Sequence, residues 1–108
     1  MKIGIILQSN EPEHVWNTFR FGITALKANR QVEIFLMNEG SELEVIPDSG
    51  HFNISEKVAE FKTLKGEIYA CGTCLELRGR SESKVCPVST MSDLLDMVES
   101  SDKVLVFG

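Results

Sequence analysis

Lys2-Ile-Gly-Ile-Ile-Leu7 is a continuous apolar run with β-branched residues, and Val32-Glu-Ile-Phe-Leu-Met37 repeats it with one interruption at Glu33. Runs of this length without polar alternation mark strands buried on both faces, as in parallel sheets. Ile68 to Ala70, Val85 to Val88 and Val104 to Phe107 extend the series. Helical periodicity fills the intervals between them. Val15, Phe19, Gly22, Ile23 and Leu26 share one face of a helix from about Glu11 to Asn29, with Asn10 and Glu13 spaced as a capping box. Ile54, Val58, Phe61 and Leu64 form a second stripe, closed by Gly66 as a C-terminal cap. Thr90 and Asp93 begin a last helix in which Met91, Leu94, Leu95 and Val98 are expected to face inward. The alternation predicts an α/β domain with a five-stranded parallel sheet and helices on both faces, since parallel strands need crossover connections of one hand.

A chain of 108 residues is enough for one core, and a single domain spanning 1–108 is expected. The 43% hydrophobic and 25% charged content is that of an ordinary globular protein. Sixteen Asp plus Glu against 11 Lys plus Arg give a formal charge of -5, which repels phosphate backbones and argues against a nucleic-acid partner. The opening run is too short for a signal-peptide core, and no stretch approaches the roughly 20 apolar residues of a membrane span. The expected location is the cytoplasm, where an odd set of three cysteines stays reduced and available for chemistry.

In a parallel sheet all strands end on one edge, and ligands bind outside those carboxyl ends. The loops there are Ser9 to His14, Asn38 to Phe52, Cys71 to Cys74 and Pro87 to Thr90. The second is long and acidic, with Glu39, Glu42, Glu44 and Asp48, and is a candidate lid. The third carries the chemistry. Cys71, Gly72, Thr73 and Cys74 follow a strand and precede a helix-compatible stretch ending at Arg78 and Gly79. The first thiol then stands at a helix N-terminus, where exposed N–H groups favour the thiolate that attacks sulfur or binds metal.

Other readings of these residues are weaker. Free cysteines often pack as small hydrophobes, and Cys86 fits that description unless neighbouring strands bring it to Cys71. A thioredoxin-like role requires the motif after the first strand and a preceding tryptophan, and both are missing. Zinc needs a fourth ligand beside Cys71, Cys74 and Cys86, from His14, His51 or a carboxylate. Gln8, Ser9 and Asn10 stand where a glycine-rich phosphate loop would be, so nucleotide binding has little support. His14 and His51 are accessory candidates as proton donors. Arg78 lies about 10 Å along a helix from Cys71, which suits a capping or subunit-contact role. Phe21 falls roughly 160° from the core stripe of its helix and marks a candidate oligomer interface.

The stretch Cys71-Gly-Thr-Cys74-Leu-Glu-Leu-Arg78-Gly79, with Val88-Ser-Thr-Met-Ser-Asp-Leu-Leu95 and Asp102-Lys-Val-Leu-Val-Phe-Gly108, resembles the DsrE/DsrF-like family over essentially the whole chain. The resemblance implies a three-layer flavodoxin-like domain that forms homotrimers or hexamers, with no cofactor. The cysteine seven positions before Arg-Gly matches the persulfide-carrying residue of the sulfur-relay members DsrE and TusD, and here it is Cys71. The implied function is to accept and pass sulfane sulfur on Cys71, as a carrier or sulfurtransferase between donor and acceptor proteins. Cys74 departs from the relay pattern, and Cys-Gly-Thr-Cys is more similar to the YchN-type branch. A thiol at Cys74 could attack a Cys71 persulfide, expel hydrogen sulfide and leave a disulfide, which makes it a candidate resolving thiol. The alternative is a non-catalytic oligomeric interaction or thiol redox-sensing module that uses the same pair.

Overall fold

In the computed structural model, which describes residues 1–83 and 85–108, strands and helices alternate. The order is β1 (Lys2–Leu7), α1 (Pro12–Lys27), β2 (Gln31–Leu36), a 3-10 helix (Asn38–Val45), α2 (Ile54–Thr63), β3 (Glu67–Cys71), α3 (Gly72–Leu77), β4 (Val88–Ser89), α4 (Met91–Ser100) and β5 (Lys103–Phe107). The strands form one parallel sheet in the order β4-β3-β2-β1-β5. From β1 to β3 the chain steps one way along the sheet, and right-handed crossovers place α1 and α2 on one face. The connection to β5 runs back past the whole sheet, so the same rule places α4 on the other face.

Strand register sorts the side chains between the two faces. Ile3, Ile5 and Leu7 pair with Val32, Ile34 and Leu36, and with Ile68 and Ala70 they form the larger core beneath α1 and α2. Ile6, Phe35, Tyr69 and Cys71 point the other way, into a smaller cluster with Cys74, Leu94 and Met97. A Cβ on Gly4 would lie 3.2 Å from the Met97 methyl group, so this glycine lets α4 approach the sheet.

Several sequence expectations are shifted, each for a local reason. The cap of α1 is Glu11, whose carboxylate accepts the His14 N–H at 3.1 Å, and not Asn10. Pro12 decides this, because its fixed φ and missing N–H suit the first helical position. The end of α2 is a Schellman motif, with Gly66 N–H donating to Phe61 O and Lys65 N–H to Lys62 O, each at 3.0 Å. Its left-handed residue is Lys65 (φ 75), not Gly66. Gly66 matters for space, since a Cβ there would stand 2.4 Å from the Phe61 ring.

The expected strand Val85 to Val88 shrinks to Val88–Ser89, and Cys86 lies before it in a bend. The backbone N–H groups of Val85 and Cys86 go to Ser83 Oγ, and Val85 also reaches Glu44, so they are unavailable to a ladder. The acidic connection after β2 is no open lid. Its 3-10 helix buries Gly40, Ser41 and Leu43, and a Cβ on Gly40 would fall 2.1 Å from Leu7 O.

The largest correction concerns α4. Its capping box forms as read, with Thr90 Oγ1 accepting the Asp93 N–H and Asp93 accepting the Thr90 N–H. Of its expected inward stripe, Leu94 packs against the smaller cluster and the other three residues face outward. Met91, Leu95 and Val98 are 54%, 56% and 39% exposed, and Met97 is the helix's buried residue. Beside it, β5 is an edge strand whose Val104, Leu105 and Val106 are all exposed. No helix among the described residues is long and apolar enough to cross a membrane.

Candidate functional site

Chain direction brings Cys71 and Cys74 to the carboxyl edge of the sheet. Cys71 ends β3 and caps α3 in an extended conformation (φ -64, ψ 118), without a side-chain capping bond. Its side chain continues the Tyr69 face and packs among Phe35, Met97 and Cys74. Cys74 follows one turn later, and the two side chains pack into the same cluster. Cys71 is 3% exposed and Cys74 9%.

The polar surroundings of Cys74 come from three further elements. The Asn38 backbone N–H donates to Cys74 Sγ at 3.2 Å, reaching it from the first residue of the 3-10 helix. Asn38 has a left-handed backbone (φ 51), and its side-chain amide donates to Gln8 Oε1 at 2.9 Å. Arg78 donates from Nη1 to Cys74 O at 3.1 Å and from Nε to Glu42 Oε2 at 2.8 Å. It therefore holds the backbone of the motif against the 3-10 helix and points no donor at Cys71. Burial pushes the Cys74 thiol above its ordinary range; the Asn38 N–H opposes this, and the neighbouring Cys71 adds to it.

Cys74 opens on a cleft of ≈ 690 Å³ whose other walls include Ser9, His14, Asn38, Leu77 and Arg78. Gly108 packs at its edge, where a Cβ would come 2.7 Å from Ser9 Cβ. Ser9 is buried; its Oγ accepts the Glu11 N–H at 3.0 Å and lies 3.0 Å from His14 Nδ1. The hydroxyl proton can then go to Nδ1, leaving the other ring nitrogen protonated.

The remaining candidates lie elsewhere. Cys86 belongs to the larger core on the opposite sheet face, where its Sγ is 3.4 Å from Ser83 Oγ, and burial pushes its thiol up. It does not join the pair. His51 sits in an exposed loop against Phe52, with ring centroids 6.3 Å apart, and lines no part of the cleft. Phe21 is 39% exposed and leans on Phe107, with centroids 6.3 Å apart. Among the described residues no group of three or more His, Cys, Asp or Glu is placed to hold a metal ion.

Sequence reasoning missed two site features. The Asn38 donor is a backbone group, which no residue type announces. The clamp between the 3-10 helix and α3 did leave a trace, because Glu42–Arg78 and Glu44–Arg80 are ion pairs at the same separation of 36 residues, at 2.8 and 2.7 Å.

Comparison with known proteins agrees over the full length. The model of the DsrE/DsrF-like family matches residues 1–107. An uncharacterized protein of Methanopyrus kandleri is 31% identical over 105 residues, covering 88% of this chain and 83% of its own. An uncharacterized protein of Methanocaldococcus jannaschii is 31% identical over 101 residues, covering 88% of each. Among solved structures, the ychN protein from E. coli superimposes with a TM-score of 0.82 at 24% identity, covering 99% of this chain and 100% of that one. A conserved protein of unknown function from Bacteroides thetaiotaomicron gives 0.77 at 17% identity, covering 97% and 93%.

Proposed function

The chain belongs to the DsrE/DsrF-like family, and on that premise we propose that it handles sulfane sulfur, holding it as a persulfide on Cys71. The observation that carries the reading is the packing of two free thiols together at the carboxyl end of β3, one of them facing a cleft. Neighbouring thiols can exchange sulfur without an organic cofactor, because attack of a thiolate on an S–S bond is the whole reaction. Cys71 takes the carrier role by its place seven residues before Arg78-Gly79. Cys74 then sets the lifetime of the load. Its attack on the inner sulfur of the Cys71 persulfide breaks that S–S bond, releases hydrogen sulfide and forms the Cys71–Cys74 disulfide. A carrier function requires that an acceptor take the outer sulfur before this happens.

Cyanolysis tests the reading. Protein loaded with a sulfane-sulfur donor and freed of excess reagent should yield one equivalent of thiocyanate. A zero yield from the loaded protein would remove the proposal.

We further propose that the chain works as a homo-oligomer, a trimer or hexamer. The support is the outward stripe of Met91, Leu95 and Val98 beside the bare Val104 and Val106 of β5. Burying such residues against a second copy removes apolar surface from water at roughly 25 cal/mol per Å². Phe21 leans on Phe107 of the same edge strand from the α1 face. Cytoplasmic operation agrees with three unpaired thiols.

A further inference from the structure

We infer that Cys74, and not the carrier Cys71, is the thiol that receives sulfur from the donor, so that the pair works as a two-step inward relay. The inference rests on the sulfur-handling reading above and assigns the order of events within it. Its basis is access. Cys74 lines the cleft and Cys71 does not. Cys71 is enclosed by Phe35 and Met97. Over the backbone of Gly72 the next atoms are Val88 Cγ1 and Ser89 O, 3.1 and 3.4 Å from where a Cβ would stand. A donor persulfide entering from solvent meets Cys74 Sγ first.

The cleft also suits the encounter. Asn38 N–H already points at Cys74 Sγ and stabilises negative charge on it. Gln8, Ser9, His14, Glu39 and Arg78 give the walls a mixed polar character, and Arg78 is partly neutralised by Glu42. Such walls fit a small polar thiol of the glutathione type carrying a terminal sulfur.

The chemistry balances without an oxidant. The reacting form is the Cys74 thiolate, reached by loss of its proton to solvent, with Cys71 beside it as the thiol. In the first step the Cys74 thiolate attacks the outer sulfur of R–S–SH, the donor S–S bond breaks, and R–S⁻ leaves with the electron pair. Cys74 now holds S–SH. The Cys71 thiol gives its proton to the departing R–S⁻, and the Cys71 thiolate attacks the outer sulfur on Cys74. The Cys74 S–S bond breaks, its thiolate returns, and Cys71 holds the S–SH. The sum is transfer of one sulfur atom from R–S–SH to Cys71 with release of R–SH. The same contact that lets sulfur pass inward lets Cys74 later expel it as hydrogen sulfide.

Glutathione persulfide is the probe, applied to wild type, Cys71→Ser and Cys74→Ser, with peptide-level mass spectrometry over time. Wild type should load Cys71. Cys71→Ser should accumulate one sulfur on Cys74 and stop there. Cys74→Ser should load Cys71 about tenfold or more slowly, because the donor must reach a shielded thiol. Loading of Cys71 at the wild-type rate in Cys74→Ser would overturn the order. So would a Cys71→Ser protein that takes up no sulfur while wild type does. Failure of wild type itself to take up sulfur would be a different result, removing the sulfur-handling reading together with this one. A readout on unsubstituted protein guards against misfolded variants. Limited alkylation with a maleimide should modify Cys74 before Cys71, and the reverse order would equally overturn the assignment.

Discussion

The Sγ of Cys74 accepts a hydrogen bond from the backbone N–H of Asn38 at 3.2 Å, which ties the reactive pair to the start of the 3-10 helix. The donor is available only because Asn38 adopts a left-handed backbone with φ 51. Glycine tolerates that conformation and a β-branched residue does not. Asn38→Val should therefore lose about 1–2 kcal/mol of stability in urea denaturation and change the alkylation rate of Cys74, whereas Asn38→Gly keeps the N–H in place. Equal stability of the two variants would mean that the strained backbone does not hold this donor.

Glu44 supplies a pH-dependent part of the same clamp. Burial opposes its ionisation but is outweighed by hydrogen bonds from Ser83 and the Val85 N–H and by Arg80, so its carboxyl titrates below the ordinary 4.5. A carboxylate whose folded value is lowered contributes stability fully above the unfolded value and loses it as pH falls through the folded one. Glu44→Gln should cost about 1–3 kcal/mol near neutral pH. The difference from wild type should shrink below pH 4.5. A gap that stays constant through acid would show that ionised Glu44 is not its source.

Packing predictions are local and independent of the chemistry. Gly66→Ala places a methyl group 2.4 Å from the buried Phe61 ring and should destabilise by about 1–3 kcal/mol. Met97→Ala empties the contact between α4 and Gly4 and should cost about 2–5 kcal/mol. Thermal unfolding followed by circular dichroism measures both, and an unchanged midpoint in either would contradict the packing described.

The outward stripe of α4 makes a prediction of opposite character. Leu95→Glu should leave the monomer folded, because Leu95 is exposed, yet lower the mass found by sedimentation equilibrium. A wild-type chain that sediments as a monomer at micromolar concentration would remove the oligomer proposal. An intact oligomer in Leu95→Glu would move the interface off this helix.

The sequence makes some of this legible and not the rest, and the division is physical. Ile3 to Leu7 and Val32 to Leu36 read as doubly covered strands because burial on two faces disfavours polar residues on either, and the exception, Glu33, is paired with Lys2 at 3.0 Å. The stripe on α4 has the same helical period as those of α1 and α2, but periodicity reports that a face is apolar and not what covers it. Of that stripe, Leu94 packs into the chain's own core, while Met91, Leu95 and Val98 lie outside it. The motif Cys71 to Cys74 was visible from spacing, and its place at the end of a strand followed from the apolar run before it. Which thiol faces the cleft was not visible. It depends on Met97 of α4, which packs against Cys71, and on a backbone N–H delivered from 36 residues away.

The central claim is that this cysteine pair carries sulfane sulfur, and intact-mass analysis of the wild-type protein after incubation with glutathione persulfide tests it most directly. The account predicts a gain of one sulfur atom per chain, mapped to Cys71, removed by dithiothreitol and absent from the Cys71→Ser/Cys74→Ser double variant. An unchanged mass, or a sulfur adduct that maps to Cys86, would contradict it.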